Sequence, residues 1–403
     1  MKCRHCKNQL EHIFLDLGFA PPSNDYLSQL DLHKPESYFP LKLFVCERCW
    51  LVQTEDYNSA DKLFRHDYAY FSSASSSWLA HAAAYTKMIS ERMTLNEGSY
   101  VVEIASNDGY LLKNFVAAGI PCLGIEPTEC TARAAEALGI SVLKEFFGAR
   151  LAVTLQKADL IVGNNVYAHV PDINDFTTGM KATLKPGGTI TLEFPHLMQL
   201  IAHNQFDTVY HEHYSYLSLY TVDRIFAASG LRVFDVEALP THGGSLRIYG
   251  CHPDDPRPTL PSVPALLDEE ERSGLRDLAA YRSFQHRADK VKDDLLSFLI
   301  EQKNAGRIVA GYGAAAKGNT LLNYAGVKPD LLPFVCDAAA SKQGKFMPGS
   351  HIPILPPSAL AERKVDVVLI LPWNIASEIV QQQAAVRERG GKFVVAVPHV
   401  KVI

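Results

Sequence analysis

Strand and helix patterns alternate along most of the chain. Apolar runs rich in Val, Ile and Leu (SYVVEIAS, PCLGIEP, ADLIVGNNVYAHV, TITLEFPH) are separated by stretches with apolar residues at helical spacing (LLKNFVAAG, ECTARAAEAL, DFTTGMKATL). Continuous apolar strands between helices predict a parallel sheet covered on both faces by crossover helices. A Pro-rich stretch near residues 251–265 interrupts this rhythm, and DEEERSGLRDLAAYRSFQHRADKVKDDLLSFLIEQKNAG then reads as one long charged amphipathic helix stopped by Gly306. The alternation resumes in RIVAGYGAAAKGN, LLPFVCD, VDVVLILPW and KFVVAVPHV, a second α/β unit. Ahead of both, YFPLKLFVCERCWLVQ reads as a strand, and RHDYAYFSSASSSWLAHAAAYTKMISERM as a hydroxyl-rich turn entering a helix.

At 403 residues the chain is too long for one core. The expected fold is α/β in three parts: residues 1–65, 66–250 and 251–403. Composition narrows the function. With 39 basic and 44 acidic side chains the net charge is −5, and no Lys/Arg block is present, so nucleic-acid binding has no electrostatic support. No run of about 18 apolar residues and no apolar N-terminal segment appear, which predicts a cytoplasmic protein without a membrane span. A monomer is expected.

Four of the eight cysteines come as CRHC (Cys3, Cys6) and CERC (Cys46, Cys49). Two such knuckles close a tetrathiolate site for Zn²⁺ with no open position, so the metal is expected to be structural. Disulfide or redox pairs are the alternative, and a cytosolic setting disfavours them.

The turn after the first α/β strand, VVEIASNDGYLL, consists of small residues that let a ligand approach the backbone, yet it is not the G-x-G-x-x-G of dinucleotide sites. Glu103 lies inside the strand, and Glu126 ends the next one in GIEPT, where a carboxylate can accept both hydroxyls of a ribose. With LKPGG (Leu184 to Gly188) further on, residues 97–200 resemble the class I S-adenosylmethionine methyltransferases. That resemblance implies a cofactor site of Glu103, Ala105, Ser106, Asn107 and Gly109, with Glu126 and Pro127 at the ribose. Phe146, Phe147, Asn164 and Asn165 would line the adenine and sulfonium regions. Ala105 stands where the family usually has its first glycine.

In the second unit, Gly311, Gly313 and Ala316 match G-x-G-x-x-A, with Asp337 ending the next strand. By motif alone this suggests an NAD-dependent oxidoreductase. Lys317, at the start of the following helix, adds a positive charge suited to a pyrophosphate.

The most unusual segment is TVYHEHYSYLS, with Tyr210, His211, Glu212, His213 and Tyr214. Read as a strand, it would point neighbouring residues to opposite faces, so a metal site there would use only His211 and His213. Packing of core histidines, His211 above all, is a second reading. The order CxxC, CxxC, YAYFSS, EIASNDG, GIEP, VYHEHYSYLS, HGGSLRIY, GYGAAAKGN and PWN resembles, over the whole chain, the zinc-containing nucleotide-sugar C-methyltransferases, which install branch methyls on deoxysugars. The resemblance implies a zinc-binding N-terminal domain, a central methyltransferase domain, and a C-terminal Rossmann-like domain holding the nucleotide sugar. It also implies methyl transfer to C-3 of a 4-keto-6-deoxysugar nucleotide. Methylation at carbon needs a base next to a ketone and a donor for the enolate oxygen. By family position His213 is the base, Glu212 its support, and Tyr210 and His169 donors. Tyr70, Ser72 and Ser73 are expected to close over the cofactor, unless they only cap the helix that follows. Tyr68, Tyr214, His242, Ser245 and Arg247 are expected at the substrate, as are Tyr312, Lys317, Asn319, Asp337, Trp373 and Asn374. For Arg247 a phosphate or a surface acid are alternative partners.

Overall fold

The computed structural model describes residues 1–57 and 71–403; Tyr68 and Tyr70 lie outside the described residues. The chain forms two compact units, each assembled from three segments. Unit 1 is Met1–Glu11, Cys46–Leu197 and Tyr214–Arg276; unit 2 is His12–Val45, Met198–His213 and Asp277–Ile403.

Unit 1 is built on a seven-stranded sheet in the order Arg232–Leu239, Ser245–Cys251, Leu184–Pro195, Ala158–Asn164, Val101–Ile104, Cys122–Ile125, Ser141–Leu143. The five strands from Leu184–Pro195 to Ser141–Leu143 run parallel, and Ser245–Cys251 joins antiparallel. The predicted strand–helix alternation is therefore borne out. Strand order reverses between Val101–Ile104 and Ala158–Asn164, which places a ligand crevice at their carboxyl ends. The hydroxyl-rich turn before the first long helix does cap it: Ser75 Oγ accepts from Trp78 N at 3.3 Å, starting helix Ser76–Met93. That helix buries Ala82, Tyr85, Thr86 and Ile89, the i, i+3, i+4, i+7 stripe of an amphipathic helix. The stripe joins Phe115, Leu112, Ile120 and Tyr249 in one core. Phe115 is fully buried, and its truncation to Ala would cost about 3–5 kcal/mol.

Unit 2 holds a six-stranded sheet in the order Ile354–Leu355, Val335–Cys336, Val309–Tyr312, Val367–Ile370, Lys392–Val395, Lys401–Val402, parallel except for the last pair. Its order reverses between Val309–Tyr312 and Val367–Ile370. An antiparallel pair, His12–Ala20 with Phe39–Val45, belongs to the same unit. Phe14 on this pair stacks on Phe284 at 4.8 Å and meets Tyr281 edge-on at 5.4 Å.

Two local expectations are corrected. The single long helix is three: Ser262–Arg272, Leu278–Arg282 and Phe284–Asn304. Gly274 adopts φ +82°, Leu275 N returns to Glu270 O at 3.1 Å, and Asp277 Oδ1 caps the next helix by accepting from Ala279 N at 2.9 Å. Gly306 does end the last helix, at φ +70°. The second correction is TVYHEHYSYLS, which is not a strand at its histidines. Residues 210–213 form a turn closed by His213 N to Tyr210 O at 2.9 Å, and only Ser215–Tyr216 is extended. The turn forms without Gly or Pro because neither His211 nor Glu212 takes the positive φ that would favour glycine.

Candidate active site and metal centre

The two cysteine knuckles share one backbone design. Cys3 N bonds Asn8 O at 2.7 Å and Lys7 N returns to Cys3 O at 3.0 Å; Cys46 N bonds Leu51 O at 3.0 Å and Trp50 N returns to Cys46 O at 2.8 Å. Lys7 and Trp50 both take positive φ, 60° and 61°. Four thiolates around zinc at about 2.3 Å stand about 3.8 Å apart. Here Cys3 and Cys49 Sγ are 3.5 Å apart, as are Cys6 and Cys46, and all four lie within 4.8 Å of one another. Gln53 Nε2 donates to Cys3 Sγ at 3.3 Å and its Oε1 accepts from Arg4 N at 2.8 Å, tying the ligand cluster to strand Val52–Thr54, which pairs with Ser215–Tyr216. The donor set fits Zn²⁺. Among the described residues it is the one such cluster found, and His211 to His213 form none.

In unit 1 the crevice is lined by the loop after Val101–Ile104. Ala105 and Asn107 hold φ of 59° and 49°, and Gly109 holds 77°, where an added Cβ would stand 2.4 Å from Ile140 Cδ1. Below the loop, Ser106 is packed so closely that a Cβ on Gly124 would meet its Oγ at 2.4 Å. Glu126 organises the loop: Oε2 accepts from Asn107 N and Oε1 from Thr128 N, both at 2.9 Å. Ser72 N donates to Asn107 Oδ1 at 2.9 Å and Ser73 N to Asp108 Oδ2 at 3.0 Å, so the expected lid residues do reach the loop. Glu103 is buried with both carboxylate oxygens lacking a hydrogen-bond partner among the described residues; burial, then the charges of Glu126 and Asp108, push its pKa well above the carboxylate range. Asn164 is likewise buried with both amide atoms unpartnered, and Asn165 Oδ1, Ser106 Oγ and Asp108 Oδ1 add to the set. Buried polar atoms without partners at one crevice mark where a polar ligand belongs. The carboxylates of Glu126 and Asp108 around a small-residue loop, with Glu103 held towards its neutral form, suit a ligand bearing positive charge and hydroxyls, which is the chemistry of S-adenosylmethionine. Pro127 is partly buried; Phe147 packs edge-on against Phe176 at 5.2 Å, whereas Phe146 is half exposed.

Beside this crevice sits a network that the sequence reading missed. Glu193, fully buried, accepts from His81 Nε2 at 2.8 Å, Arg247 at 2.9 Å and Thr241 Oγ1 at 2.9 Å. Burial works to raise its pKa, but the hydrogen bond from His81 and the His81 and Arg247 charges outweigh it, leaving it lowered. Arg247 also lies over the Tyr85 ring at 4.6 Å and approaches the partly exposed Glu237 at 3.7 Å, so it serves a buried acid and a surface-facing one. Ser245 Oγ donates to Thr241 O at 2.9 Å, and Asn165 Nδ2 donates to His242 Nε2 at 3.2 Å. His169 ends the short helical turn Tyr167–His169. Tyr214 is buried beneath the Arg4 guanidinium, with its N bonded to Ala168 O at 2.8 Å.

In unit 2 the glycines of the 311–318 turn serve packing. Added Cβ atoms would meet Val335 at 2.8 Å (Gly311), Pro372 at 2.5 Å (Gly313) and Leu371 at 2.8 Å (Gly318). The oxidoreductase reading rests on those glycines, and close strand–helix packing accounts for them. Asp337 accepts from Ala314 N at 2.7 Å and Ala339 N at 2.8 Å. Lys317 Nζ donates to Asn374 Oδ1 at 2.7 Å and lies 4.5 Å from the Trp373 ring centre; burial lowers its pKa, opposed by the charge of Asp207. Tyr312 is buried in the core, its hydroxyl accepting from Gln383 Nε2 at 3.1 Å, and Asn319 Nδ2 donates to Ser23 O at 2.6 Å.

The 210–213 turn belongs to this unit. His213 Nδ1 lies 2.9 Å from Thr208 O; a carbonyl can only accept, so Nδ1 carries the proton and the neutral ring keeps its lone pair on Nε2. The Tyr210 ring lies 3.9 Å from the imidazole. Asn24 Nδ2 donates to both Glu212 oxygens, at 2.8 and 2.9 Å. His211 Nε2 contacts Pro40 O at 3.2 Å, its ring edge-on to Phe39, and burial lowers its pKa: a packing histidine. Asn24, Tyr26 (hydroxyl to Ala314 O, 2.5 Å) and Asp207 were not legible from sequence. The PPSNDY segment that carries the first two has only the look of a turn.

Comparison with known proteins agrees along the whole length. A zinc binding domain model matches residues 3–64, a methyltransferase domain model residues 78–236, and a C-methyltransferase C-terminal domain model residues 240–398. The C-methyltransferase NovU of Streptomyces niveus is 35% identical over 406 aligned residues, covering 100% of this chain and 96% of NovU. Among solved structures, magnesium protoporphyrin IX methyltransferase (ChlM) from Synechocystis PCC 6803 with bound SAH is 12% identical, covering 43% of this chain and 81% of its own, at TM-score 0.35. An S-adenosylmethionine dependent methyltransferase from Mesorhizobium loti is 16% identical, covering 43% and 99%, at TM-score 0.34. No helix among the described residues is long and apolar enough to cross a membrane.

Proposed function

Because the chain belongs to the S-adenosylmethionine-dependent C-methyltransferases, we propose that it methylates C-3 of a nucleotide-activated 4-keto-6-deoxysugar through an enolate made by its own base. Residues 1–65 bind zinc, 66–250 the methyl donor and 251–403 the nucleotide sugar. When bound, S-adenosylmethionine supplies an electrophilic methyl group, held by Glu126 and the 105–109 loop. His213 Nε2 takes the C-3 proton, which the neighbouring ketone acidifies, while the Thr208 carbonyl holds Nδ1–H and keeps the ring in that tautomer. The Tyr210 hydroxyl donates to the ketone oxygen as negative charge develops there, with His169 as a second donor. Glu212, held by Asn24, offsets the charge of the imidazolium that results. Lys317 and Asn374 receive the diphosphate.

The observation that carries this reading is the His213–Thr208 bond, because it equips the imidazole to accept a proton at one defined atom. The test is exchange of the C-3 proton of a 4-ketosugar nucleotide with deuterated water. His213→Asn is expected to lose exchange and to slow methylation by about 10²- to 10⁴-fold, with S-adenosylmethionine still binding by calorimetry. Exchange at the wild-type rate in the variant would overturn the assignment.

A further inference from the structure

Residues 207–209 of unit 2 bond both to the proposed base and to the elements around Lys317. Asp207 Oδ2 accepts from Trp373 Nε1 at 2.7 Å, Thr208 O from His213 Nδ1 at 2.9 Å, and Val209 O from Thr320 Oγ1 at 2.7 Å. Trp373 in turn lies under the Lys317 ammonium, and Thr320 is on helix Ala316–Tyr324, which begins with Lys317's turn. Asp207 has no exposed surface, and its Oδ1 finds no partner among the described residues. Burying a carboxylate in this way is costly, and a residue needed only to fill space would be apolar. The carboxylate does two things an apolar residue cannot: it fixes the indole by a charge-assisted hydrogen bond, and it places a negative charge near Lys317.

We propose that Asp207 is a positioning residue that links occupancy of the Lys317 crevice to the placement of His213, so that an anionic group bound at the lysine sets the base. The proposal rests on the nucleotide-sugar reading above. An arriving diphosphate pulls on the ammonium, the indole beneath it shifts, and the 207–209 turn carries the change to the carbonyl that holds the imidazole. Supporting this, burial raises the Asp207 carboxyl to about 6, opposed by Lys317 and the Trp373 bond, so its charge responds to what the lysine faces. Lys317, Trp373 and the backbone amides of Asp207 and Thr208 are the groups that act on it.

Three variants of the full-length zinc protein test this. Asp207→Ala and Trp373→Phe each remove the bond; Asp207→Asn keeps an acceptor for the indole at nearly the same volume. In the wild type, uridine diphosphate is expected to shift the ¹⁵N imidazole resonance of His213, assigned by its loss in His213→Gln. That shift is expected to vanish in Asp207→Ala and Trp373→Phe and to survive in Asp207→Asn. For methylation, Asp207→Ala is expected to lower kcat by up to about 10²-fold, the cost of misplacing a reacting group by about 1 Å, with KM changed far less, and Asp207→Asn to restore most of it. A His213 resonance that moves equally in all variants, or an Asn variant as impaired as the Ala variant, would overturn the relay. If the relay signal is intact but the wild type methylates no 4-ketosugar nucleotide, the reaction assignment fails and the relay stands.

Discussion

The two crevices of the molecule are organised alike and differ in their charged neighbours. Each lies where strand order reverses, and each is organised by an acid at the end of the second strand. Glu126 takes the amide of Asn107 on one oxygen and that of Thr128, two residues on, on the other. Asp337 repeats this with Ala314 and Ala339. What differs is the company. Around Glu126 stand Glu103 and Asp108; around Asp337 stand Lys342, 3.7 Å away, and Lys317 on the helix of the same loop. One backbone device therefore stands in two charge settings, and the side chains around it decide which ligand charge each suits.

The comparison breaks if ligand preferences fail to separate. Lys317→Met is expected to weaken uridine diphosphate binding by about 30-fold or more, corresponding to the ~2 kcal/mol lower bound for losing a buried charged partner. S-adenosylmethionine affinity should stay unchanged, and calorimetry with both ligands reads the two effects side by side. Glu126→Ala should do the reverse, costing about 1.5–3 kcal/mol of S-adenosylmethionine affinity and sparing the nucleotide. A smaller effect sharpens the contrast. Because Glu103 has a folded-state pKa above its unfolded one, its contribution to stability is fully present below the unfolded value near 4.3 and is lost as pH rises through the folded value. Glu103→Gln should abolish that loss. The variant's gain in denaturant midpoint over wild type should grow between pH 4 and 8, at about 1.4 kcal/mol for each unit of elevation. A pH-independent difference would mean Glu103 is not held protonated.

The seven- and six-stranded sheets, the cysteine knuckles and the two crevice loops were legible because each is written in a local period or spacing: apolar runs, CxxC, small residues after a strand. The 210–213 segment stood out by its residue types but was misread in shape, since Tyr210 to His213 form a turn that no Gly or Pro announces. The break at Gly274 lay in plain view as a Gly followed by a capping Asp277, masked by the strong amphipathic pattern on either side. What no local pattern carries is pairing across long separations. Asn24 meets Glu212 across 188 positions, Trp373 meets Asp207 across 166, and His81 meets Glu193 across 112. These partners are ordinary surface-type residues in sequence, and only the fold shows what they hold.

The cysteine cluster has a role beyond its own knuckles. Cys3 and Cys6 precede the point where the chain leaves unit 1 at Glu11, and Cys46 marks the point where it returns. A metal bridging these positions is a clasp on the excursion 12–45, fastening both ends of the ribbon that carries Asn24 and Tyr26. Closing that loop in advance removes entropy the chain would otherwise lose on folding. The excursion also leaves each unit divided among three segments, so no single cut in the chain releases either unit whole.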